Sequence, residues 1–285
     1  MPDATGTSSR DRLIAVLTAI YYKHWIDSQK IGRDGFPHPY KARNGGGYTL
    51  EAELGISPNG YSEPDYLGWE IKQYGVGDFV RFTPQTPVTL LTPEPTHGIY
   101  QELGFHEFMR RYGYADRSGI IGRVNFGGVY ACKRPANSLT GLRLSMAGYD
   151  EEQGKITDLN GGIVLLDRND DVAALWRFTG IIDHWNRKHA QAAYVPSLFQ
   201  TPPPQYRYGP RVMLCEGTDL SLFLKAIANG TIYLDPALKL LTAADGSTEG
   251  KKRNQFRVRH AGLGNVYHRT EIVTLNSGDP TLPAL

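Results

Sequence analysis

Cysteine is scarce in this chain of 285 residues: Cys132 and Cys215 are the only two. They are too few for a disulfide framework and lack metal-ligand spacing, so both are expected as buried thiols in a reducing cytoplasm. No apolar run reaches the length of a membrane-spanning helix. A secretory leader is not expected, because Arg10, Asp11 and Arg12 run straight into an amphipathic stretch instead of a charged-then-apolar one. A dominant charge is missing too. The formal net charge of +2 is too small to announce a nucleic-acid protein, so any DNA surface has to be a local patch. Repeats and heptads are absent. What is present is 40% hydrophobic residues, enough for a packed core, and a length that suits one large domain or a core with an added lobe.

Periodicity and turn residues give a coarse outline. Residues 1–9 are small and polar and are expected to be disordered, and residues after about 274 read as a tail. Helical spacing predicts helices over 13–25, 100–112, 174–189 and 219–229. Strands are expected over 69–74, 88–93, 123–133, 139–146, 162–167, 211–215, 232–241 and 254–259. Residues 32–47 read as a Gly/Pro/aromatic loop, and the glycines 45–47 as a flexible lead into a helix capped by Thr49 and stopped by Gly55. That helix puts Leu50 and Leu54 on one face, with Glu51 beside them.

The chemistry concentrates in Pro64-Asp65-Tyr66-Leu67-Gly68-Trp69-Glu70-Ile71-Lys72. In a strand, alternate residues share a face, so Glu70 and Lys72 point one way while Trp69 and Ile71 point into a core. Asp65 then sits at the mouth of the preceding turn. Two carboxylates beside one amine suit metal-assisted phosphodiester hydrolysis. Asp65 and Glu70 would hold a hard divalent cation through oxygen, and the ion would polarise the phosphate and acidify a water. Lys72 would orient or deprotonate that water, or neutralise charge on the phosphate. By itself the same triad also fits a solvated strand edge with an ordinary Glu/Lys pair.

The neighbouring segments sharpen the assignment. "GGGYTLEAELGI", "PDYLGWEIK" and "VTLLTPEP" follow one another, then "FMRRYGY", and near the C-terminus "SLFLKAIANGTIYLD" and "FRVR". Over roughly residues 40–275 this resembles the MvaI/BcnI type of type II restriction endonuclease. The resemblance implies a mixed α/β (α+β) fold, with a restriction-endonuclease-like core and a β-rich DNA-recognition lobe gripping the duplex. The core would occupy residues 10–125, with part of 160–230 packed on it, and the lobe residues 126–273. It further implies Mg²⁺ on Asp65 and Glu70, Lys72 at the attacking water, and Glu51 as a helix glutamate supporting the metal or the lysine. Expected products carry 5′-phosphate and 3′-hydroxyl ends. The partner would be double-stranded DNA and no membrane, met by a monomer in a bacterial or archaeal cytoplasm. A methyltransferase gene alongside would mark a restriction system. Some relatives carry a histidine where this chain has Thr92, and His97 is the nearest one.

Residues 248–260, "TEGKKRNQFRVRH", crowd basic and amide side chains together. Lys252, Arg253, Arg257 and Arg259 can take guanine acceptors in the major groove, and Asn254 can pair with adenine. Asp235 matches an acidic position of the family and can accept from cytosine. Alternation puts Arg257 and Arg259 on one face and Phe256 and Val258 on the other. Relatives place a His-Asp pair just before this strand where Lys252-Arg253-Asn254 stands here, a departure that leaves the chemistry untouched but not the expectation of an inherited target sequence. Arg110, Arg111, Lys133, Arg134 and Lys188 are further phosphate-contact candidates. A repair-type or anti-phage nickase with the same chemistry, or a DNA-binding module without catalysis, remains open at this level.

Overall fold

The computed structural model describes residues 7–56 and 63–275. The expectations for residues 1–6 and 276–285 lie outside them. The chain forms two compact units, one of residues 1–88, 187–218 and 267–285, the other of 89–186 and 219–266. Residues 89–125 go with the second unit, and 187–218, within the stretch 160–230 expected in part on the core, go with the first.

The first unit is built on a six-stranded sheet whose central strand is Gln191–Gln200. Antiparallel partners Gln205–Tyr208 and Arg211–Glu216 pair with it, and Arg269–Thr274 extends the sheet beyond the latter. The predicted catalytic strand, Glu70–Gly75, joins it in parallel, with Glu70 in register with Ala192 and Lys72 with Tyr194. Helix Ser9–Tyr22 buries Leu13, Leu17, Ile20 and Tyr21 against one sheet face. Trp69, Ile71, Ala193, Val195, Val212 and Leu214 complete that core. The sequence-predicted inward face of the catalytic strand is thus the observed one. Ser8 caps the helix by accepting from the Asp11 amide at 3.1 Å, which corrects the expected disorder at residues 8 and 9.

Helix Gly45–Glu53 begins earlier than predicted, so the three glycines are its first turn and not a flexible lead. Close packing explains them. A Cβ on Gly46 would meet the Gln73 amide at 2.7 Å, and Tyr208 OH donates to the Gly46 carbonyl at 2.6 Å. Thr49 lies inside this helix, fully buried, and its Oγ1 accepts from the Gln29 amide at 3.1 Å. The expected loop 32–47 also contains strand Pro37–Pro39, paired with Gln29–Ile31.

The second unit carries a two-stranded sheet, Tyr149–Asp150 with Lys155–Ile156, and three larger ones. One is Arg143–Ala147, Gly162–Leu166 and Val172–Arg177; another is Val88–Leu91, Phe256–Val258 and Ile232–Leu234. The third joins Thr248–Lys251, Ala237–Thr242, Arg123–Gly127 and Tyr114–Ala115. Three predicted elements are broken here. The helix over 100–112 is two, Ile99–Glu102 and Gly104–Tyr112, interrupted where Gly104 takes a φ of 85°. The helix over 174–189 is strand Val172–Arg177 followed by helix Phe178–His189. The strand over 232–241 splits around Asp235-Pro236, since proline has no amide for the ladder. Helix Leu220–Ala228 stands as expected, with Asp219 accepting from the Leu222 amide at 2.8 Å.

Candidate active site

The spacing Asp65-x4-Glu70 is the footprint of a tight turn. Tyr66 and Trp69 pair across it, their amides and carbonyls bonded at 2.9 and 2.8 Å. Leu67 (φ 49°) and Gly68 (φ 86°) both lie in the left-handed region, as the two central residues of a type I′ hairpin do. The next positions outward are Asp65 and Glu70, so the turn folds one carboxylate back beside the other. Asp65 Oδ2 then accepts from the Ile71 amide at 2.9 Å, which fixes it against the strand.

Glu70 is 1% exposed, and its Oε1 lies 2.5 Å from Lys72 Nζ. Lys188 Nζ stands 3.7 Å from the same oxygen. Glu70 Oε2 is buried with no hydrogen-bond partner. Crowding of negative charge shows in the acid strengths. Burial and then the Glu70 charge raise Asp65 above its usual range, against the Ile71 amide, Lys72 and Lys188, which pull it down. Burial pushes Glu51 up to about 7, with Asp65 adding to the rise and Lys72 and Lys30 opposing it. The structure therefore brings Glu51, Asp65, Glu70 and Lys72 into one electrostatic cluster.

Among the described residues no three His, Cys, Asp or Glu side chains converge closely enough to cage an ion. The donor set still fits a Mg²⁺-like cation. Such ions keep several waters and take one or two carboxylates plus substrate phosphate oxygens. An orphaned Glu70 Oε2 beside a fixed Asp65 supplies that kind of site.

In the second unit the expected DNA-reading residues fall into three kinds. Arg257 donates to Asp235 Oδ2 at 2.8 Å, so these two form one pair. Phe256 and Val258 are fully buried while Arg259 is exposed, matching the predicted alternation. Lys252 and Arg253 are exposed, and Lys252 lies over the Tyr100 and Phe105 rings at 5.7 and 5.3 Å. Asn254 differs from expectation: it is 3% exposed and donates to Glu94 Oε1 at 3.2 Å, a packing position with its amide engaged. His97 bridges to Leu175 through its backbone and its ring lies on Thr96. Sequence reasoning offered Lys188 only as a phosphate-contact candidate and not as a neighbour of Glu70. Only its place just before the strand paired with Glu70–Gly75 marks it, and that pairing is not written in any local pattern.

The MvaI/BcnI restriction endonuclease family matches this chain over residues 14–267. The chain belongs to that family. Its membership makes it a DNA-cleaving, site-specific nuclease by kind. Among solved structures, the MvaI restriction endonuclease in complex with cognate DNA substrate is similar with a TM-score of 0.70 at 17% identity, covering 93% of this chain and 98% of that one. MvaI in the absence of DNA gives 0.50 at 15% identity, covering 94% and 98%. At these identities the likeness establishes the fold, a mixed α/β restriction-endonuclease architecture. No curated protein sequence matches the chain. No helix among the described residues is long and apolar enough to cross a membrane.

Proposed function

We infer that this family member is a Mg²⁺-dependent endonuclease that hydrolyses double-stranded DNA at a short specific sequence, leaving 5′-phosphate ends, in restriction of foreign DNA. The observation that carries this is the buried Glu70 carboxylate. One oxygen is held by Lys72, the other is orphaned, and Asp65 is folded in beside it by the Leu67-Gly68 turn. Burying an ionised carboxylate with one oxygen unsatisfied is costly unless a ligand completes it.

Asp65 and Glu70 would hold the cation, which when bound polarises the scissile phosphate and lowers the pKa of a water. Lys72, with its side chain 23% exposed and its Nζ on Glu70 Oε1, would orient that water. Glu51, its carboxyl raised to about 7, would add negative charge behind the pair once a bound cation favours its ionised form. Arg253 and Arg259 are exposed cations suited to phosphates or guanine edges, and the Arg257–Asp235 pair presents a donor and an acceptor together. Asn254 is left out of the reading set because its amide is committed to Glu94. The protein would act as a monomer in the cytoplasm of a bacterium or archaeon, with a cognate methyltransferase protecting the host.

Supercoiled plasmid, with and without cytosine and adenine methylation, tests this in Mg²⁺ with wild type against Lys72→Ala. Discrete linear fragments from wild type alone are expected. Nicked circles alone would replace restriction with a nickase. Intact DNA in every lane would leave a binding module.

A further inference from the structure

The Glu70 carboxylate has one more cation than the chemistry above uses. Lys72 and Lys188 both address Oε1, at 2.5 and 3.7 Å, while Oε2 is buried without a partner. Lys72 has three N–H donors, but when its ammonium is drawn toward the reacting water its charge moves off Oε1. If Lys72 turned to the water with nothing else present, a buried anionic oxygen would lose its counter-charge, which proteins tolerate poorly. The arrangement supplies a second cation for that moment. We propose that Lys188 is a positioning residue of the nuclease site, the standing partner of Glu70 Oε1 that releases Lys72 for the water and keeps Oε2 aimed into the site. The role rests on the nuclease reading.

The fold places Lys188 there by construction. It lies in the last turn of helix Phe178–His189, where a cation also suits the helix C-terminus. The next residue, His189, is fully buried, with Nδ1 2.9 Å from Tyr267 OH. Tyr267 OH is in turn 2.7 Å from Tyr194 OH, and Tyr194 sits in register with Lys72. Further along the chain, Ala192 sits in register with Glu70. The anchor is therefore tied to the same strand pair that carries the catalytic residues. Lys188 is 20% exposed along its side chain, unlike a freely solvated lysine.

Two measurements on the full chain test it. In EDTA and without DNA, Lys188→Gln should lower the melting temperature in the wild-type background and leave it unchanged in a Glu70→Gln background. In single-turnover cleavage with Mg²⁺, Lys188→Gln should slow cutting roughly 10- to 100-fold, with DNA affinity in Ca²⁺ changed by no more than about threefold, the pattern of a lost outer support. Lys188→Arg should recover most of the rate. Two results overturn the proposal: wild-type cutting by Lys188→Gln, or a rate loss matched by lost DNA affinity. Absence of coupling with Glu70 in EDTA overturns the assignment of Lys188 even where wild type cuts DNA. A wild type that cuts nothing overturns the nuclease reading, and the role with it, even where the coupling in EDTA persists.

Discussion

Glu70 and Asp65 differ in what each loses when its carboxylate is removed. Glu70 would leave two lysines without their shared oxygen, whereas Asp65 would free the Ile71 amide. Replacing either by Ala should lower cleavage by about a thousandfold, near 4 kcal/mol of barrier, while gel-shift binding in Ca²⁺ persists. Loss of folding in both variants would instead make them structural. Glu51 offers a pH test. Its carboxyl is raised from the ordinary 4.5 to about 7, so the folded protein favours the protonated form. Its contribution to stability is fully present below about 4.5 and is lost as pH rises through about 7. In chelator, wild type should therefore lose stability against Glu51→Gln between pH 5 and pH 8, by roughly 1 kcal/mol after allowing for solvent screening. Parallel melting-temperature curves for the two proteins would remove Glu51 from the cluster.

The Tyr66–Trp69 turn is the element on which the site depends. Gly68 has a φ of 86°, and a Cβ added there would meet nothing nearer than Gln191 Oε1 at 3.8 Å, so only backbone strain opposes a side chain. Gly68→Val should cost about 1–2 kcal/mol of stability and cut slowly, whereas Gly68→Asn, which tolerates this conformation, should keep most of both. Equal behaviour of the two variants in thermal melts and cleavage would show that the turn is not what sets Asp65 beside Glu70. At this scale the sequence was informative where pattern and packing agree. Trp69 and Ile71 alternate into the core as the strand period requires, and Asp219 caps its helix. It misled where an unseen neighbour decides. Gly45–Gly47 look flexible in isolation, yet Ser28, Gln73 and Tyr208 crowd the first two into a helix turn. Residues 174–177 read as the start of a helix until the ladder with Gly162–Leu166 claims them.

For the whole molecule, DNA affinity should fall steeply with salt despite a net charge of only +2, because the cations that matter are clustered. Arg253→Ala and Arg259→Ala should each reduce the slope of log affinity against log salt by about one phosphate contact and weaken all sequences alike. Arg257→Ala should instead cost about 1–3 kcal/mol at the cognate site and relax discrimination there, since its partner Asp235 would be left without its donor. Uniform weakening by Arg257→Ala in a competition assay would reduce that pair to a fold contact. By itself the sequence determined the Glu70–Gly75 strand, its buried face and the carboxylate spacing, because turns and alternation are set by neighbours in the chain. It also carried the family. Only the tertiary structure decided that Glu51 joins Asp65 and Glu70, that Asn254 is packed against Glu94, and that Lys188 reaches Glu70. Parallel pairing between Glu70–Gly75 and Gln191–Gln200 needs a long crossover, and contacts closed across such a distance leave no periodic mark on either segment.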